Sequence, residues 1–412
     1  GSILTFIKSV SFGVYLFHRL ADMLQSGCEH ASRSVRAAAM AAAGAAYDGM
    51  LAECADVEAM RRVAETRAGV ADAGESAAAL RFGMAMLAAT PGTDVVIAGS
   101  SGLMARPVDA LVDALRSLGA DVERTEGGVR VRGRRLAGGK AAVDASVSSQ
   151  FVSALLMAAP LMDDGLELAI DWNQPSLPYI DMTLAMMRAR GVDASRAGVD
   201  INVRAGAYKP AQVCDVERDW SAAAFWYEIA ALTAGFVTLR GMASASVQGD
   251  SAVAEIFRRL GVVTAFDEDG AHLSADPEMH ARLDYDCSSC PDLVPAMAVT
   301  AAMLGVPFEL AGVGALRHKE CDRVAAIIEE LAKVGVPVEF DRGTLVWDGR
   351  RVPVMEMPAF DSHGDHRMAM ALAPVAVFAP GVTVDGAECV GKSYPGFWDD
   401  MRAAGFEVEA AE

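Results

Sequence analysis

Five glycines recur along the chain at nearly constant steps, and each follows a helix-like stretch and precedes the alternating apolar and polar pattern of a strand. The steps are 72, 70, 74 and 70 residues, between Gly119, Gly191, Gly261, Gly335 and Gly405. A glycine in this position adopts the left-handed backbone that turns a chain out of a helix. Because a period near 72 residues exceeds that of solenoid repeats, each copy must be a small α/β unit with several elements.

A second, more apolar helix recurs with the same period, and its predicted starts are Gly74, Ser148, Trp220, Asp292 and His366. Turn pairs predict hairpins in several copies, at Glu126-Gly127, Asp269-Gly270 and Arg342-Gly343. The chain of 412 residues has room for about six copies, which indicates two lobes of three units with a division near Gly241. The first copy is irregular, since the sequence around Gly44 and Gly49 lacks the helix, glycine and strand pattern.

Composition limits the partners of such a protein. With 52% apolar residues, 7% aromatic residues and a net charge of −19, the chain is typical of an acidic, soluble α/β protein. That charge repels nucleic acid and anionic membranes, so we expect neither as a partner and predict that any phosphate site is a local basic pocket. The N-terminal stretch, residues 1–24, is apolar but interrupted by charges, and we expect neither a signal peptide nor a membrane span there.

The seven cysteines have no disulfide-like spacing, which favours a reducing compartment, and we therefore expect a cytoplasmic protein. Cys287 and Cys290 form a lone Cys-x-x-Cys pair without nearby histidines, so we expect no metal.

Polar and charged residues stand at the predicted helix starts in copy after copy. A helix N-terminus has free N–H groups and a positive dipole, and Lys and Arg beside it add donors for phosphate or carboxylate. One such start is a capped core helix; several together indicate a site for anionic ligands. They are Ser148-Ser149-Gln150, Asp292, Lys319-Glu320-Cys321-Asp322-Arg323, Asp365-His366-Arg367 and Lys392-Ser393-Tyr394-Pro395.

These motifs, in this order, resemble the EPSP synthase (3-phosphoshikimate 1-carboxyvinyltransferase) family from about residue 74 to the C-terminus. Further matching stretches are residues 144–151, 178–183, 219–223, 248–250, 317–323 and 365–370. The resemblance implies a two-lobed inside-out α/β barrel of six βαβαββ-type repeats, three per lobe. We expect residues 1–30 with 241–412 to form the first lobe, residues 31–240 the second, and the active site to lie in the cleft between them.

The family's reaction moves the enolpyruvyl group of phosphoenolpyruvate to the 5-hydroxyl of shikimate 3-phosphate by addition and then elimination of phosphate. The resemblance implies no metal and no organic cofactor, and we expect a monomer. The reaction requires clamps for two phosphates and two carboxylates, a base for the hydroxyl, and an acid that protonates the methylene carbon and later takes the proton back.

The resemblance assigns roles to residues that match the family's motifs. Asp292 resembles the group that holds or deprotonates the 5-hydroxyl, with Lys319 beside it, and Glu320 the residue that transfers a proton at the methylene carbon. The residues implied to bind shikimate 3-phosphate are Ser148, Ser149, Ser176 and Tyr179, and those implied to bind phosphoenolpyruvate are Arg106, Arg323, Arg367 and Lys392. Gln150 is implied to lie between the two substrates.

The N-terminus departs from the family's S-K-S-x-S-x-R signature. The stretch Ser32-Arg33-Ser34-Val35-Arg36 has the better position but has arginine for lysine and is two residues short, so Arg33, Ser34 and Arg36 are its candidate ligands. Lys8-Ser9-Val10-Ser11 keeps the lysine and both serines, but Gly13 stands where the arginine belongs. Spacing favours the first stretch. Since lysine and arginine are not equivalent in a tight anionic pocket, this change bears on turnover more than on fold.

A second departure lies at Ala77, where the family has glycine. Its methyl group is expected to crowd the phosphoenolpyruvate pocket, and we predict weak inhibition by glyphosate.

Three other functions compete with this one. Residues 386–393 satisfy GxxxxGK[ST], but Tyr394-Pro395-Gly396 interrupts the helix that a P-loop NTPase needs. The enolpyruvyl transferase of cell-wall synthesis shares the Arg106-Pro107 motif, yet its usual cysteine is missing between Gly99 and Arg106. The third alternative is a catalytically impaired homologue that keeps the fold and binds ligand weakly or not at all.

Overall fold

The structure, a computed structural model, describes residues 5–9, 31–42, 54–146, 148–171, 176–209 and 217–410. The chain forms two compact units: unit 1 comprises Gly1–Cys28 and Glu217–Glu412, and unit 2 comprises Glu29–Val216. The repeat spacing predicts that the chain returns to unit 1 near Gly241. In the structure it returns earlier, at Glu217. The reason is that the helix Trp220–Thr233 buries its side chains in the core of unit 1.

Within the described residues, both units contain α-helices and β-strands. The helices of unit 2 are α1 (Ala31–Ala42), α2 (Ala55–Glu65), α3 (Ala77–Ala88), α4 (Ser101–Ala105), α5 (Asp109–Ser117), α6 (Ser149–Ala158) and α7 (Leu177–Ala189). Those of unit 1 are α8 (Trp220–Thr233), α9 (Val253–Arg258), α10 (Val294–Leu304), α11 (Arg323–Ala332), α12 (His366–Leu372) and α13 (Phe397–Ala403).

The strands follow the same division. Strand β1 (Thr5–Ser9) belongs to unit 1. Unit 2 contains β2 (Ala68–Asp72), β3 (Asp94–Ala98), β4 (Asp121–Thr125), β5 (Gly128–Arg132), β6 (Gly139–Ala142), β7 (Leu166–Ala169), β8 (Ala194–Ala197) and β9 (Asp200–Val203). Unit 1 continues with β10 (Val237–Arg240), β11 (Val262–Phe266), β12 (Gly270–Ala275), β13 (Leu283–Asp286), β14 (Phe308–Ala311), β15 (Glu339–Asp341), β16 (Thr344–Trp347), β17 (Ala359–Asp361), β18 (Val382–Asp385) and β19 (Phe406–Ala410).

The sheets repeat one topology. The orders β2-β3-β5-β4, β6-β7-β9-β8 and β13-β14-β16-β15 each begin with a parallel pair and end with an antiparallel hairpin. In the sheet β17-β18-β1-β19, the strand from the start of the chain lies antiparallel between two C-terminal strands. The remaining described sheet has the order β10-β12-β11. The repeat seen in the sequence is thus a repeat of sheet topology.

The glycine prediction is confirmed. Gly119, Gly191, Gly261, Gly335 and Gly405 follow helices, and all have φ between 75° and 96°. At Gly335 the neighbouring chain adds a second constraint, because a Cβ atom would lie 2.1 Å from the carbonyl oxygen of Val352.

The more apolar helix of each copy is buried, as predicted. Helices α3 and α6 pack together in the core of unit 2, and α10 packs between α8 and α12 in the core of unit 1. Side chains cap the N-termini of four of these helices, with the oxygens of Ser76, Ser148, Asp219 and Asp365 accepting backbone N–H bonds of the first turn. Their polar residues are therefore concentrated at the N-terminal ends.

Two sequence predictions fall on residues that are not described. The irregular first copy around Gly44 and Gly49 is one, and Val10 and Ser11 of the alternative N-terminal motif are the other. Among the described residues, no helix combines the length and apolar character that crossing a membrane requires.

Candidate active site

A cluster of charged side chains lies at the N-terminal ends of successive helices in unit 1. We call it the unit 1 cluster, and its members are Asp292, Lys319, Glu320, Arg323, Asp365, Arg367 and Lys392. Asp292 precedes α10, Arg323 begins α11, Asp365 caps α12, and Lys392 ends the 3₁₀ turn before α13. The repeat therefore brings together residues 100 positions apart in sequence.

Arg323 is the centre of this cluster and is only 1% exposed. Its Nε and Nη2 atoms donate to the two carboxylate oxygens of Asp365 at 2.7 and 3.2 Å. Its Nη1 atom donates to Asp292 at 2.8 Å, and Nη2 also donates to Glu320 at 2.9 Å. The rigid fork of one guanidinium thus fixes the positions of three carboxylates.

Asp292 accepts from three cations. Lys319 Nζ and Arg323 Nη1 contact its Oδ1 at 3.1 and 2.8 Å, and Arg367 Nη2 lies 3.2 Å from its Oδ2. Burial alone raises the pKa of a carboxyl group, but these three cations outweigh it and hold the pKa of Asp292 well below its usual value. Asp292 is therefore an anion at neutral pH.

Glu320 is a second carboxylate of the unit 1 cluster and contacts two of its cations. Lys392 Nζ donates to Oε1 at 2.5 Å and Arg323 Nη2 donates to Oε2. The side chain is 17% exposed, whereas Arg323 is buried. Glu320 therefore combines fixed geometry with access to solvent, which a group that exchanges a proton with a ligand needs.

The resemblance gave no role to two residues beside Arg367: Asp365, which belongs to the unit 1 cluster, and His366, which follows it. Both oxygens of Asp365 contact Arg323, and Oδ1 also accepts the backbone N–H of Arg367. Burial lowers the pKa of His366 to about 3, so its ring is neutral. The sequence feature that could have identified these two residues is the polar triplet Asp365-His366-Arg367 at the start of an apolar helix.

Asp250 is a further buried acid that sequence reasoning did not assign. Burial, followed by the nearby charge of Asp292, raises its pKa to about 6, with Arg367 acting in the opposite direction. The hydroxyl of Ser221 donates to its Oδ2. The signal for it was the Gln-Gly-Asp stretch.

A second cluster lies in unit 2, at the start of α6, and Arg81 of α3 organises it. Arg81 Nη1 donates to Gln150 Oε1 at 2.8 Å and to Ser148 Oγ at 3.3 Å, while Nη2 donates to the carbonyl oxygen of Pro107 at 3.1 Å. Its guanidinium also lies 5.0 Å from the ring centre of Phe151. Sequence reasoning missed Arg81, because its partners are 67 and 69 residues away and it stands within an apolar helix.

Arg36 is fully buried in unit 2. It donates to Thr183 Oγ1 at 2.7 Å and to Ser153 Oγ at 3.3 Å, and its guanidinium lies 5.8 Å from the ring centre of Tyr179. Burial lowers its pKa to about 10, so the side chain stays charged at neutral pH. The helix α1 thus brings a cation against α6 and α7, which contain predicted ligands.

The other predicted ligands of unit 2 differ in their burial and backbone conformation. Ser34 and Ser149 are buried, and Arg33 is half-buried. Ser176 stands in the left-handed region with φ 57° immediately before α7. Lys8, the alternative to Arg33, lies in β1 of unit 1, opposite Glu407 of β19.

Arg106 and Ala77 lie at helix ends in unit 2. Arg106 follows α4 and lines a cavity of about 230 Å³ together with Leu80 and Arg124. Ala77 is the first residue of α3, and its side chain is buried.

The GxxxxGK[ST] stretch does not form a strand followed directly by a helix. Residues Ala387–Lys392 form a 3₁₀ turn, α13 begins only at Phe397, and the lysine contacts Glu320. In a P-loop the lysine and the following helix N-terminus serve the phosphates. This geometry argues against an NTPase.

Together, the repeated α/β units and their two clusters define a protein suited to anionic small molecules bound at helix N-termini. The sequence model of EPSP synthase (3-phosphoshikimate 1-carboxyvinyltransferase) matches residues 38–401. The chain belongs to this family. The match begins after Arg36, so both candidate N-terminal motifs lie before it.

Curated relatives agree with this assignment. The chain is 40% identical over 369 residues to the 3-phosphoshikimate 1-carboxyvinyltransferase of Bacteroides fragilis strain ATCC 25285, covering 88% of this chain and 90% of that protein. It is 35% identical over 414 residues to the enzyme of the same name from Methanothrix thermoacetophila, covering 98% and 95%. An EPSP synthase structure from Acinetobacter baumannii shares the fold, with a TM-score of 0.75 over the whole of both chains at 21% identity. The predicted fold class and family are confirmed.

Proposed function

We propose that the chain transfers the enolpyruvyl group of phosphoenolpyruvate to the 5-hydroxyl of shikimate 3-phosphate and releases phosphate. The observation that carries this proposal is the pair Asp292 and Glu320, two carboxylates that bind different nitrogens of one buried arginine, Arg323, and that also contact further cations. Addition and elimination at an anionic enol ester requires such a combination of acid–base groups and anion clamps. The named relatives catalyse the same class of transfer.

In this proposal Asp292 accepts the proton of the 5-hydroxyl as its oxygen forms a bond to C2 of phosphoenolpyruvate. Glu320 acts in its protonated form and donates that proton to the methylene carbon C3, which becomes a methyl group in the tetrahedral adduct. The C2–O bond to phosphate then breaks, and Glu320 takes a proton back from C3 as the double bond reforms. The proton that Asp292 accepted from the hydroxyl leaves with the phosphate. The contacts of Glu320 with Lys392 and Arg323 support this role, because they hold the carboxylate in one position.

The cations have a separate task. We assign Arg323, Arg367, Lys392 and Arg106 to the carboxylate and phosphate of phosphoenolpyruvate, and Lys319 to Asp292, whose charge it stabilises. Planar guanidinium groups form two parallel hydrogen bonds to either anion.

Unit 2 supplies the ligands of shikimate 3-phosphate in this proposal. Ser148 and Ser149 at the start of α6 bind its phosphate, and Gln150, Ser176 and Tyr179 complete the pocket. We further propose that residues 32–36, rather than the stretch from Lys8, replace the family's N-terminal signature. The contact of Arg36 with Tyr179 supports this choice, as do the buried Ser34 and half-buried Arg33.

The deciding experiment measures phosphate release from phosphoenolpyruvate in the presence of shikimate 3-phosphate. We expect release with both substrates, at least a hundredfold slower release for Glu320→Gln, and calorimetric binding of shikimate 3-phosphate that Glu320→Gln retains. Wild-type protein that binds shikimate 3-phosphate without turnover would mark the chain as an impaired homologue. Absence of binding would contradict the proposed substrate.

We also propose that the enzyme is cytoplasmic, which its cysteine content favours, and that it is a monomer. Light scattering of the eluted protein tests the oligomeric state, since a dimer would have twice the monomer mass of 43.2 kDa.

A further inference from the structure

A fully buried glutamate lies on the same face of α11 as Arg323, but two turns further along. Glu330 is 0% exposed, and seven residues separate it from Arg323. Because two helical turns take about 7.2 residues, the two side chains project in nearly the same direction. Both point at the segment that connects β17 to α12.

The two carboxylate oxygens of Glu330 contact this segment and the end of β17. Its Oε2 accepts the backbone N–H of Asp361 at 3.0 Å, and its Oε1 lies 2.9 Å from the ring Nε2 of His363. Lys333 Nζ contacts both carboxylate oxygens at 2.7 and 2.9 Å and also donates to the carbonyl oxygen of Ala359 at 3.0 Å. The glutamate is therefore fully used in holding residues 359–363.

The bound segment has a backbone conformation that needs support. His363 has φ 53° and Gly364 has φ 67°, so two consecutive residues stand in the left-handed region immediately before Asp365. A residue with a side chain is disfavoured there and persists when its surroundings hold it. The contact of its ring with Glu330 supplies such a hold.

The next residue, Asp365, belongs to the unit 1 cluster. It accepts two bonds from Arg323 and one from the N–H of Arg367. Helix α11 is thus joined to the β17–α12 connection at two points, one at the charged cluster and the other at Glu330. The contacts of Glu330 therefore help to fix the position at which Asp365 meets Arg323.

From these contacts we infer that Glu330 is a positioning residue for enolpyruvyl transfer: it holds His363 and the N–H of Asp361 so that Asp365 keeps Arg323 in register with Asp292 and Glu320. This inference rests on the proposed function. Glu329, Glu330 and His363 lie close enough together to be considered as ligands of a cation. Glu329 is exposed, however, and the oxygens of Glu330 already bind Lys333, His363 and Asp361. We therefore assign Glu330 a structural role and not that of a cation ligand.

The test compares wild type with Glu330→Gln. An amide has one acceptor oxygen where the carboxylate has two, and it has no charge to pair with Lys333, so it weakens the contacts with Lys333 and with the segment that Glu330 holds. Well below the melting temperature, we expect kcat to fall by about tenfold or more, since small displacements of reacting groups are costly. We expect KM for shikimate 3-phosphate to stay within about threefold, because Glu330 lies in unit 1 and the proposed ligands of the phosphate group of this substrate lie in unit 2.

Two matched controls separate positioning from general loss of stability. Glu329→Gln removes the neighbouring exposed charge on the same helix, and Val262→Ala weakens the core of the same unit in β11, without changing any hydrogen bond or ion pair of Glu330. Both should keep kcat within about twofold of wild type. An equal loss of kcat in Val262→Ala, at a matched melting temperature, would overturn the inference.

A second measurement does not depend on catalysis. Hydrogen exchange of the backbone amides of residues 361–367 should become at least about tenfold faster in Glu330→Gln, but remain unchanged in both controls. Combining Glu330→Gln with Asp365→Asn should reduce kcat little more than Asp365→Asn alone, because both substitutions disturb the same contact, that between Asp365 and Arg323. Unchanged exchange, or losses that multiply, would refute the positioning role. Wild-type protein without any transfer activity would refute the proposed function, while the exchange experiment would still decide the role of Glu330.

Discussion

Glu228 is the residue whose replacement should change the stability of the protein most informatively. It lies in the middle of α8 and is 0% exposed, among the core side chains Tyr227 and Ile229. Within the described part of the chain, neither of its carboxylate oxygens has a hydrogen-bond partner. A buried polar group without a partner costs about 1–3 kcal/mol of the free energy of unfolding.

Burial also raises the pKa of Glu228 well above its ordinary value of 4.5. A carboxyl group with a raised pKa in the folded protein contributes its full stability below pH 4.5 and loses that contribution as the pH rises toward the folded pKa. The slope for one such group is about 1.4 kcal/mol per pH unit within that window. The protein should therefore lose stability through this residue as the pH rises above about 5.

Two substitutions separate the effects. Glu228→Gln removes the titration but keeps a polar side chain, so its unfolding free energy should depend less on pH than that of wild type. Glu228→Met replaces the unpaired group with an apolar chain of similar length and should raise stability by about 2 kcal/mol or more at pH 8.

Urea unfolding at several pH values, followed by tryptophan fluorescence, measures both effects, because four of the five tryptophans, Trp220, Trp226, Trp347 and Trp398, belong to unit 1. Glu255→Gln, at an exposed position of α9, is the control and should leave the pH dependence unchanged. The reasoning is refuted if wild type and Glu228→Gln show the same pH dependence, or if Glu228→Met is no more stable than wild type at pH 8.

Two further predictions concern single methyl groups. Ala77→Gly should lower the inhibition constant for glyphosate by about tenfold or more, because it removes the Cβ atom expected to crowd the phosphoenolpyruvate pocket; a submillimolar constant for the unaltered protein in inhibition assays would contradict this. Gly335→Ala should destabilise the protein by about 3 kcal/mol, since a Cβ atom there meets the Val352 carbonyl oxygen at 2.1 Å. Gly305→Ala is the matched control: its φ of 73° is nearly the same as the 75° of Gly335, but its Cβ atom meets nothing within 4 Å, so denaturation should show a loss of only about 1 kcal/mol.

The sequence predicted local features of the fold better than contacts between distant residues. Gly119 and its four counterparts could be recognised because a helix C-terminus requires left-handed backbone whatever its surroundings. The return of the chain to unit 1 before α8 could not, because that helix is apolar on every side and its pattern does not say which core receives it. The pairing of β1 with β18 and β19 could not be predicted either, because it joins strands from the two ends of the chain.

The same contrast holds for the candidate site. Asp292, Glu320 and Arg323 stood out because charged residues beside buried helices are conspicuous in a sequence. Arg81 and Glu330 did not, since each lies within a helix and its partners become neighbours only after folding. Such residues are identified by burial together with the hydrogen bonds that compensate it.

The pairing of Asp292 with three cations leads to a last prediction about anion binding. In the absence of ligand, Asp292 is the anion that Lys319, Arg323 and Arg367 share. Asp292→Asn should lower the free energy of unfolding by about 3 kcal/mol. The reason is that Lys319, Arg367 and the buried Arg323 lose a negatively charged partner. Inorganic phosphate should then bind more tightly to these cations, because the competing negative charge is gone, so it should raise the melting temperature of Asp292→Asn more than that of wild type when sodium chloride keeps the ionic strength constant. Asp284→Asn, an exposed aspartate of the same unit paired with Arg282, should respond to phosphate as wild type does. Equal phosphate responses of Asp292→Asn and wild type would show that the three cations are not a preformed anion site neutralised by Asp292.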